Sequence, residues 1–380
     1  MPRPRLLVVT PSLGVGGAER HMLRILPALA SAFGVELATL RSGGTLRADL
    51  PAGVPVHDID SLGWITAARR LRRLVGRLRP ELALSFQEAA NVPLLLALRT
   101  LARPARPATA VSVQGAPSIV LADSRPRTRF RVSTAMRRLY PAADRVIVAS
   151  AGVTQDLAAV SPGSVDRVRV IYNAGIDAAV TTGAAEPWDH RFLRDNAPLV
   201  VACGRLTDQK DYPTLLGALA DLRARREARL IILGDGPLRG FLSRLSAELG
   251  LTQVVDLAGY AANPYPCMAR ARVFVLSSRS EGFGNVLAEA LALGVPIVST
   301  DCPHGPGEIL DRGRYGTLVP PGDPAALAAA IEATLDDPDS PRRAAALGPA
   351  RAAEFTAERS GAAYVALLEE MLARRPGSDG

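Results

Sequence analysis

VFVLSSRSEGFGNVLAEALALGVPIVSTDCPHGPGEIL, residues 273–310, reads as strand, polar loop, helix, strand. Val273–Leu276 is an apolar run and Ser277–Gly282 is polar. A helix follows from about Gly284 to Leu293, stops at Gly294, and gives way to a second short strand at Val295–Val298. Between Phe283 and Val298 the only charged residue is Glu289, so the helix is apolar nearly all round and is predicted to be buried. A carboxylate placed there is costly unless it is paired or hydrogen-bonded. Glu289 therefore needs an arginine of this chain or a ligand rich in hydroxyls. Glu281 lies just past a strand end, where ligands bind in open α/β sheets. The helix start beside it offers N–H groups and positive dipole to an anion. Glutamates at 281 and 289 suit a ligand with a phosphate and several hydroxyls, although a buried helix with one salt-bridged glutamate shows the same spacing.

The rest of the chain sets bounds on that reading. At 380 residues it has room for about two domains. Its 48% hydrophobic and 22% charged content fits an α/β protein with ample core. No apolar run reaches the ~18–20 residues of a membrane span, and the apolar part of MPRPRLLVVTPS is too short for a signal peptide. Cys203, Cys267 and Cys302 lack C-x-x-C spacing, so they read as reduced, structural thiols of a cytoplasmic protein. Residues 1–175 hold 24 arginines against 11 acidic residues, while the remainder holds 21 basic against 26 acidic. The basic front half points to an anionic partner there. Of the 45 basic residues only Lys210 is a lysine, a compact point charge among planar forks.

Strands and helices alternate from the start, as in a parallel sheet. Arg5–Thr10 is a strand, Pro11–Gly17 a glycine loop and Ala18–Ala30 a helix, which together make a phosphate-cradling unit. Gly14-Val-Gly16-Gly17-Ala18-Glu19 lacks the last glycine of G-x-G-x-x-G. No acidic residue closes a second strand about 20 residues on, so a dinucleotide-binding dehydrogenase is excluded. Strands follow at Val35–Leu40, Val54–Val56, Leu82–Ser85, Ala108–Val113, Arg145–Ala149 and Val168–Ile171. Helices are predicted at about 64–78 and 89–102. Residues 178–196 are polar, irregular and contain Pro187, so they read as a linker. The strand Leu199–Cys203 leads into Gly204-Arg205-Leu-Thr-Asp-Gln-Lys210, whose two cations can reach one diphosphate; solvated loop charges are the plainer alternative. The tail 375–380 reads as disordered.

Glu281-Gly-Phe-Gly-Asn-Val-Leu-Ala-Glu289 resembles the E-x7-E motif of retaining GT-B glycosyltransferases of family 4. GVGGAER (14–20), the Arg205/Lys210 pair and Tyr315–Asp323 resemble further motifs of that family, in the expected order. The resemblance covers nearly the whole chain. It implies an α/β GT-B fold, two Rossmann-like domains with parallel sheets facing across a cleft that holds the active site. The expected parts are an N-terminal acceptor-side domain over 1–177, the linker 178–196 and a nucleotide-sugar domain over 197–355. A C-terminal helix over 356–374 is expected to cross back to the first domain.

The same resemblance implies a hexosyltransferase that retains anomeric configuration. The donor contacts would be Gly16, Gly17, Arg205, Lys210, Tyr260, Glu281, Gly282, Phe283, Gly284, Asn285 and Glu289. Of these, Arg205 and Lys210 would stabilise the departing diphosphate and Glu281 would hold the sugar for reaction. Glu289 would bind the ribose hydroxyls, and Tyr260 would lie near the base. No cofactor or metal is implied. The D-x-D at Asp58–Asp60, the metal motif of the other large glycosyltransferase fold, ends a short strand without that fold's context.

Relatives commonly carry a histidine facing the donor sugar where this chain has Gln114, so Gln114 is a possible sugar contact. Asp301–Leu310 is similar to members that use UDP-hexoses or UDP-N-acetylhexosamines on polyprenyl-linked oligosaccharides. The expected donor is therefore UDP-linked, and the expected acceptor is a glycan or a polyprenyl-diphosphate-linked glycan. Arginines crowd two amphipathic helices, near 67–80 and 125–140, so an anionic membrane surface is a further candidate partner and the inner face of the cell membrane a possible location. A solvated basic face is the plainer reading of both helices. Nucleic acid is not expected, because stacking aromatics are not interleaved with the arginines. A nucleotide-sugar epimerase on the same fold and a catalytically impaired protein that binds anionic glycans are the alternatives.

Overall fold

The computed structural model describes residues 3–61, 63–122, 125–194 and 197–374. The tail 375–380 expected to be disordered lies outside them. The chain divides into two compact units, Met1–Ala174 with Ala357–Gly380, and Gly175–Thr356.

The first unit holds seven strands: β1 (Arg5–Thr10), β2 (Gly34–Thr39), β3 (Val56–Asp58), β4 (Leu82–Phe86), β5 (Ala108–Val113), β6 (Arg145–Val148) and β7 (Val168–Val170). They are all parallel, in the order β3-β2-β1-β4-β5-β6-β7. β4 and β5 are buried at every position, as a sheet covered on both faces requires. β3 starts two residues later than expected, because Val56 rather than Val54 comes opposite Leu37 of β2. The order reverses between β1 and β4, which makes the loops after these two strands the topological switch point.

The helix Ala357–Ala373 belongs to this unit. Its buried face, Tyr364, Leu367, Leu368 and Met371, packs into one core with Met22, Ile25, Leu26 and Leu29 of the helix Gly17–Ala32. Gly361 allows that approach: a Cβ there would come within 2.7 Å of the Ala28 methyl.

The second unit holds β8 (Leu199–Cys203), β9 (Arg229–Leu233), β10 (Val255–Gly259), β11 (Val273–Leu276), β12 (Ile297–Thr300) and β13 (Thr317–Val319). These too are parallel, in the order β10-β9-β8-β11-β12-β13. Here the order reverses between β8 and β11. β12 begins after Pro296 rather than at Val295, and Pro296 lends only its carbonyl, to the amide of Phe274.

Within the stretch 178–196, expected to be an irregular linker, the described residues 178–194 are part of this unit. Asp177 caps a helix, Ala178–Ala184, by accepting from the Ala179 amide. Gly183 packs against Asn263 and Tyr265. Short, small-residue segments carry weak helical periodicity, which is why composition alone read this one as a linker.

Candidate active site

In the second unit, β8 and β11 are neighbours, so the loops leaving their carboxyl ends lie side by side. Hydrogen bonds fasten these loops together. The Arg279 amide donates to Gln209 O (2.8 Å), the Gln209 side chain to Ser280 O (2.8 Å), and the Ser277 hydroxyl to Lys210 O (2.7 Å). Asp211 sits in the left-handed region at φ 46° and is buried; its carboxylate takes Arg279 Nε at 3.1 Å and the Thr214 hydroxyl at 2.8 Å. The fastening brings together two residues far apart in sequence. Lys210 Nζ lies 2.6 Å from Glu281 Oε1, with side chains 15% and 8% exposed. The Ser278 hydroxyl donates to the same oxygen at 2.6 Å.

The surroundings of Glu281 are otherwise poor in compensation. Burial, the neighbouring Cys203 and the Glu281 charge hold the Tyr212 phenol well above its ordinary range. Burial first, and Glu281 second, push the Cys302 thiol up to about 12. Lys210 is the one cation paired with Glu281 among the described residues. Arg205, at the mouth of the β8 loop, is exposed, and its guanidinium makes no ion pair among the described residues.

The helix after Glu281 runs Asn285–Ala292, with Gly284 as its N-cap at φ 97°. Phe283 is buried edge-on against Phe355 at 5.3 Å. Gly305, at φ 95°, presses on the Phe283 carbonyl so closely that a Cβ would come within 1.9 Å of its oxygen. The segment 301–310 thereby holds Gly282–Gly284 in place. Glu289 is buried on this helix, as expected, and the Tyr265 hydroxyl donates to its Oε1 at 3.4 Å. Tyr260 follows the edge strand β10, two strands from β8, and is 43% exposed.

The remaining predicted site residues lie in the first unit. Gly16 caps the helix that begins at Gly17, at the end of the loop that follows β1. Gln114 follows β5, where its Nε2 donates to the Ser112 hydroxyl at 2.7 Å. A buried chain continues from there. Ser112 Oγ is 3.2 Å from Tyr364 Oη, Tyr364 Oη is 3.2 Å from His21 Nε2, and His21 Nδ1 accepts from the Ala174 amide at 2.9 Å. Because Nδ1 accepts, Nε2 carries the proton of the neutral ring and donates to Tyr364. Burial, helped by Arg24, lowers the His21 pKa to about 3, so the ring stays neutral.

Two side-chain oxygens at this end of the sheet, Glu88 Oε1 after β4 and Gln114 Oε1 after β5, are shielded from solvent and have no hydrogen-bond partner among the described residues. Burial pushes the Glu88 carboxyl above its usual range. Both Asp58 and Asp60 of the D-x-D are engaged. Asp58 accepts from Arg47 and Thr39, and Asp60 accepts from the Ser42 amide.

The sequence reading missed Ser278, Tyr265, Glu88, His21 and Tyr364. Only the motif position of Ser278, three residues before Glu281, gave any signal. The others depend on strand order or on the packing of the C-terminal helix.

Two family models match this chain: Glycosyltransferase Family 4 over residues 15–179 and Glycosyl transferases group 1 over residues 197–337. The N-acetylgalactosamine-N,N'-diacetylbacillosaminyl-diphospho-undecaprenol 4-alpha-N-acetylgalactosaminyltransferase of Campylobacter jejuni is 29% identical over 342 residues, covering 86% of this chain and 88% of its own. The lipopolysaccharide core biosynthesis glycosyltransferase LpsE of Rhizobium meliloti is 28% identical over 363 residues, covering 93% and 96%. The crystal structure of Anabaena HepE in complex with UDP and glucose matches with a TM-score of 0.80 at 21% identity, over 97% of this chain and 100% of that one. Such a match shows the fold, and the fold is GT-B.

Proposed function

Because this chain belongs to glycosyltransferase family 4, we propose that it moves a hexosyl or N-acetylhexosaminyl group, with retention, from a UDP-sugar to a glycan carried on a lipid diphosphate. One observation carries the reading: the Lys210 ammonium and the Glu281 carboxylate meet at the switch point of the second sheet, where the loop that bears Lys210 also carries the exposed Arg205. Cations at a strand end and a carboxylate at a helix start suit a diphosphate joined to a polyol. In this reading Arg205 and Lys210 take up the charge that grows on the departing diphosphate, and the helix beginning at Asn285 adds its dipole. Glu281 and the backbone of Gly282–Asn285 orient the sugar, and Glu289 with Tyr265 receives the ribose hydroxyls. Tyr260 lies near the base. No metal enters the reaction, since the two cations perform that neutralisation.

The relatives named above support a lipid-linked acceptor. The test is thermal stability with UDP, GDP and ADP in the presence of EDTA. Stabilisation by UDP alone is expected; no stabilisation by any of the three at millimolar concentration would sink the reading.

The membrane contact is assigned to the two Arg-rich helices. In Trp64–Leu78 the arginines at 69, 70, 72, 73 and 77 are exposed while Leu71, Leu74 and Val75 are buried. In Pro126–Leu139 the arginines at 127, 129, 131, 137 and 138 are exposed. Arg131 stacks over the Trp64 ring at 5.6 Å, which joins the two basic faces. Phe130, one of the apolar positions of the second helix, points outward at 72% exposure, and Ile65 is 68% exposed. Cations flanking exposed apolar side chains fit an anionic bilayer surface. Co-sedimentation with phosphatidylglycerol vesicles, but not with phosphatidylcholine vesicles, is expected. It should drop several-fold in Ile65→Ser/Phe130→Ser, and equal sedimentation of the double variant would refute the assignment.

A further inference from the structure

Resting on the donor reading above, we propose that the Lys210–Glu281 pair discriminates a nucleoside diphosphate-sugar from the bare nucleoside diphosphate, so that the spent donor is held less tightly than the fresh one. Lys210 is already committed: its ammonium is 2.6 Å from a carboxylate that is 8% exposed. An arriving diphosphate competes with Glu281 for that ammonium. To the extent that it succeeds, Glu281 is left with a single donor among the described residues, the Ser278 hydroxyl at 2.6 Å, beside Tyr212 and Cys302, groups that stay neutral. A buried carboxylate stripped of its cation is strongly unfavourable.

The two ligands differ in how they meet that deficit. A diphosphate ester carries a sugar whose hydroxyls donate to Glu281, and its second phosphate bears one negative charge fewer than a free terminal phosphate. The bare diphosphate brings no donor and an additional negative charge close to the carboxylate. The pair therefore opposes the product more than the substrate. The supports are built in. Thr300 Oγ1 donates to Ser278 O at 2.6 Å and the Ser277 hydroxyl to Lys210 O at 2.7 Å, so the backbone on both sides is fixed and the exchange is confined to side-chain ends.

The experiment is calorimetric titration of wild type, Glu281→Gln and Ser278→Ala with UDP, and with UDP-glucose, UDP-galactose, UDP-N-acetylglucosamine and UDP-N-acetylgalactosamine. Glu281→Gln is expected to bind UDP on the order of tenfold tighter than wild type, because Lys210 is released from its competitor. The same variant should lose the preference that the best-bound UDP-sugar has over UDP. Ser278→Ala is expected to bind UDP several-fold more weakly, because Glu281 then has nothing to replace the cation. A merely structural role for these residues would weaken UDP binding in both variants. That result, or unchanged UDP affinity in Glu281→Gln, overturns the inference while leaving the donor reading intact. Absence of binding to wild type by UDP and all four sugars overturns both. Melting of each variant without ligand identifies misfolding; if Glu281→Gln does not fold, Ser278→Ala decides by its ratio of affinities, since the inference requires UDP to lose several-fold more affinity than the best-bound UDP-sugar and an equal loss of both overturns it.

Discussion

Lys210→Ala is expected to lower the rate of transfer by about 10²–10³-fold, the cost of removing one preorganised charge from a site of charge development. Thermal stabilisation by UDP should disappear with it. The same substitution strips the 8%-exposed Glu281 of its cation, so a stability loss of about 3 kcal/mol is expected as well. The two losses separate in a double variant. Lys210→Ala/Glu281→Gln removes both charges and should regain most of the stability, since replacing both partners of a buried pair is far milder than replacing one. Its transfer rate should stay as low as that of Lys210→Ala. Assays of initial rate beside urea melts check this. Recovery of activity together with stability would mean that Lys210 acts only by holding the loops. Lys210→Arg is not a neutral control, because a planar fork has different reach and hydrogen-bond geometry from the ammonium it replaces.

The pairing of Lys210 with Glu281 also marks how far the sequence can be read. Alternating apolar runs identified both parallel sheets, because central parallel strands are continuous apolar stretches, and the strand–loop–helix–strand pattern of 273–298 appears within a residue or two. Glu281 and Lys210 were each visible as candidates from their positions after strands. Their contact was not, since it spans 71 residues and depends on β8 and β11 being adjacent, a fact of strand order that periodicity does not contain. The helix at 178–184 was hidden for another reason: AAVTTGA has too little apolar contrast to show a period, and it stood inside a segment read as a linker. Gln114 was visible only as a departure from a familial histidine. A histidine is nonetheless present close by, His21, reached through Tyr364 and Ser112 across 343 residues of sequence, a link that only the return of the C-terminal helix creates.

That buried histidine predicts the acid limit of the first unit. The His21 pKa lies at about 3 in the folded chain, against 6.5 for a free side chain, with burial as the main cause and Arg24 as the second. Below pH 6.5 the unfolded chain therefore binds a proton that the folded chain refuses. The stability that His21 confers as a neutral ring is fully present above pH 6.5 and falls as the pH drops, by about 1.4 kcal/mol per unit until the folded ring itself titrates. Between pH 6.5 and pH 5 the loss is about 2 kcal/mol, in a window where ordinary carboxylates remain ionised. The two tryptophans make this measurable unit by unit, since Trp64 lies in the first and Trp188 in the second. In a Trp188→Phe background, urea melts followed by Trp64 fluorescence should show the slope. Adding His21→Asn, whose amide keeps an acceptor for the Ala174 N–H but does not titrate, should flatten it. An unchanged slope in that variant would place the acid sensitivity elsewhere and remove His21 as its source. Because the folded ring stays neutral until about pH 3, the chain of hydrogen bonds that ends at Gln114 persists in folded molecules above that pH. Transfer activity is then expected to fall only as far as Trp64 reports opening, and the His21 share of both changes should be absent from the His21→Asn protein.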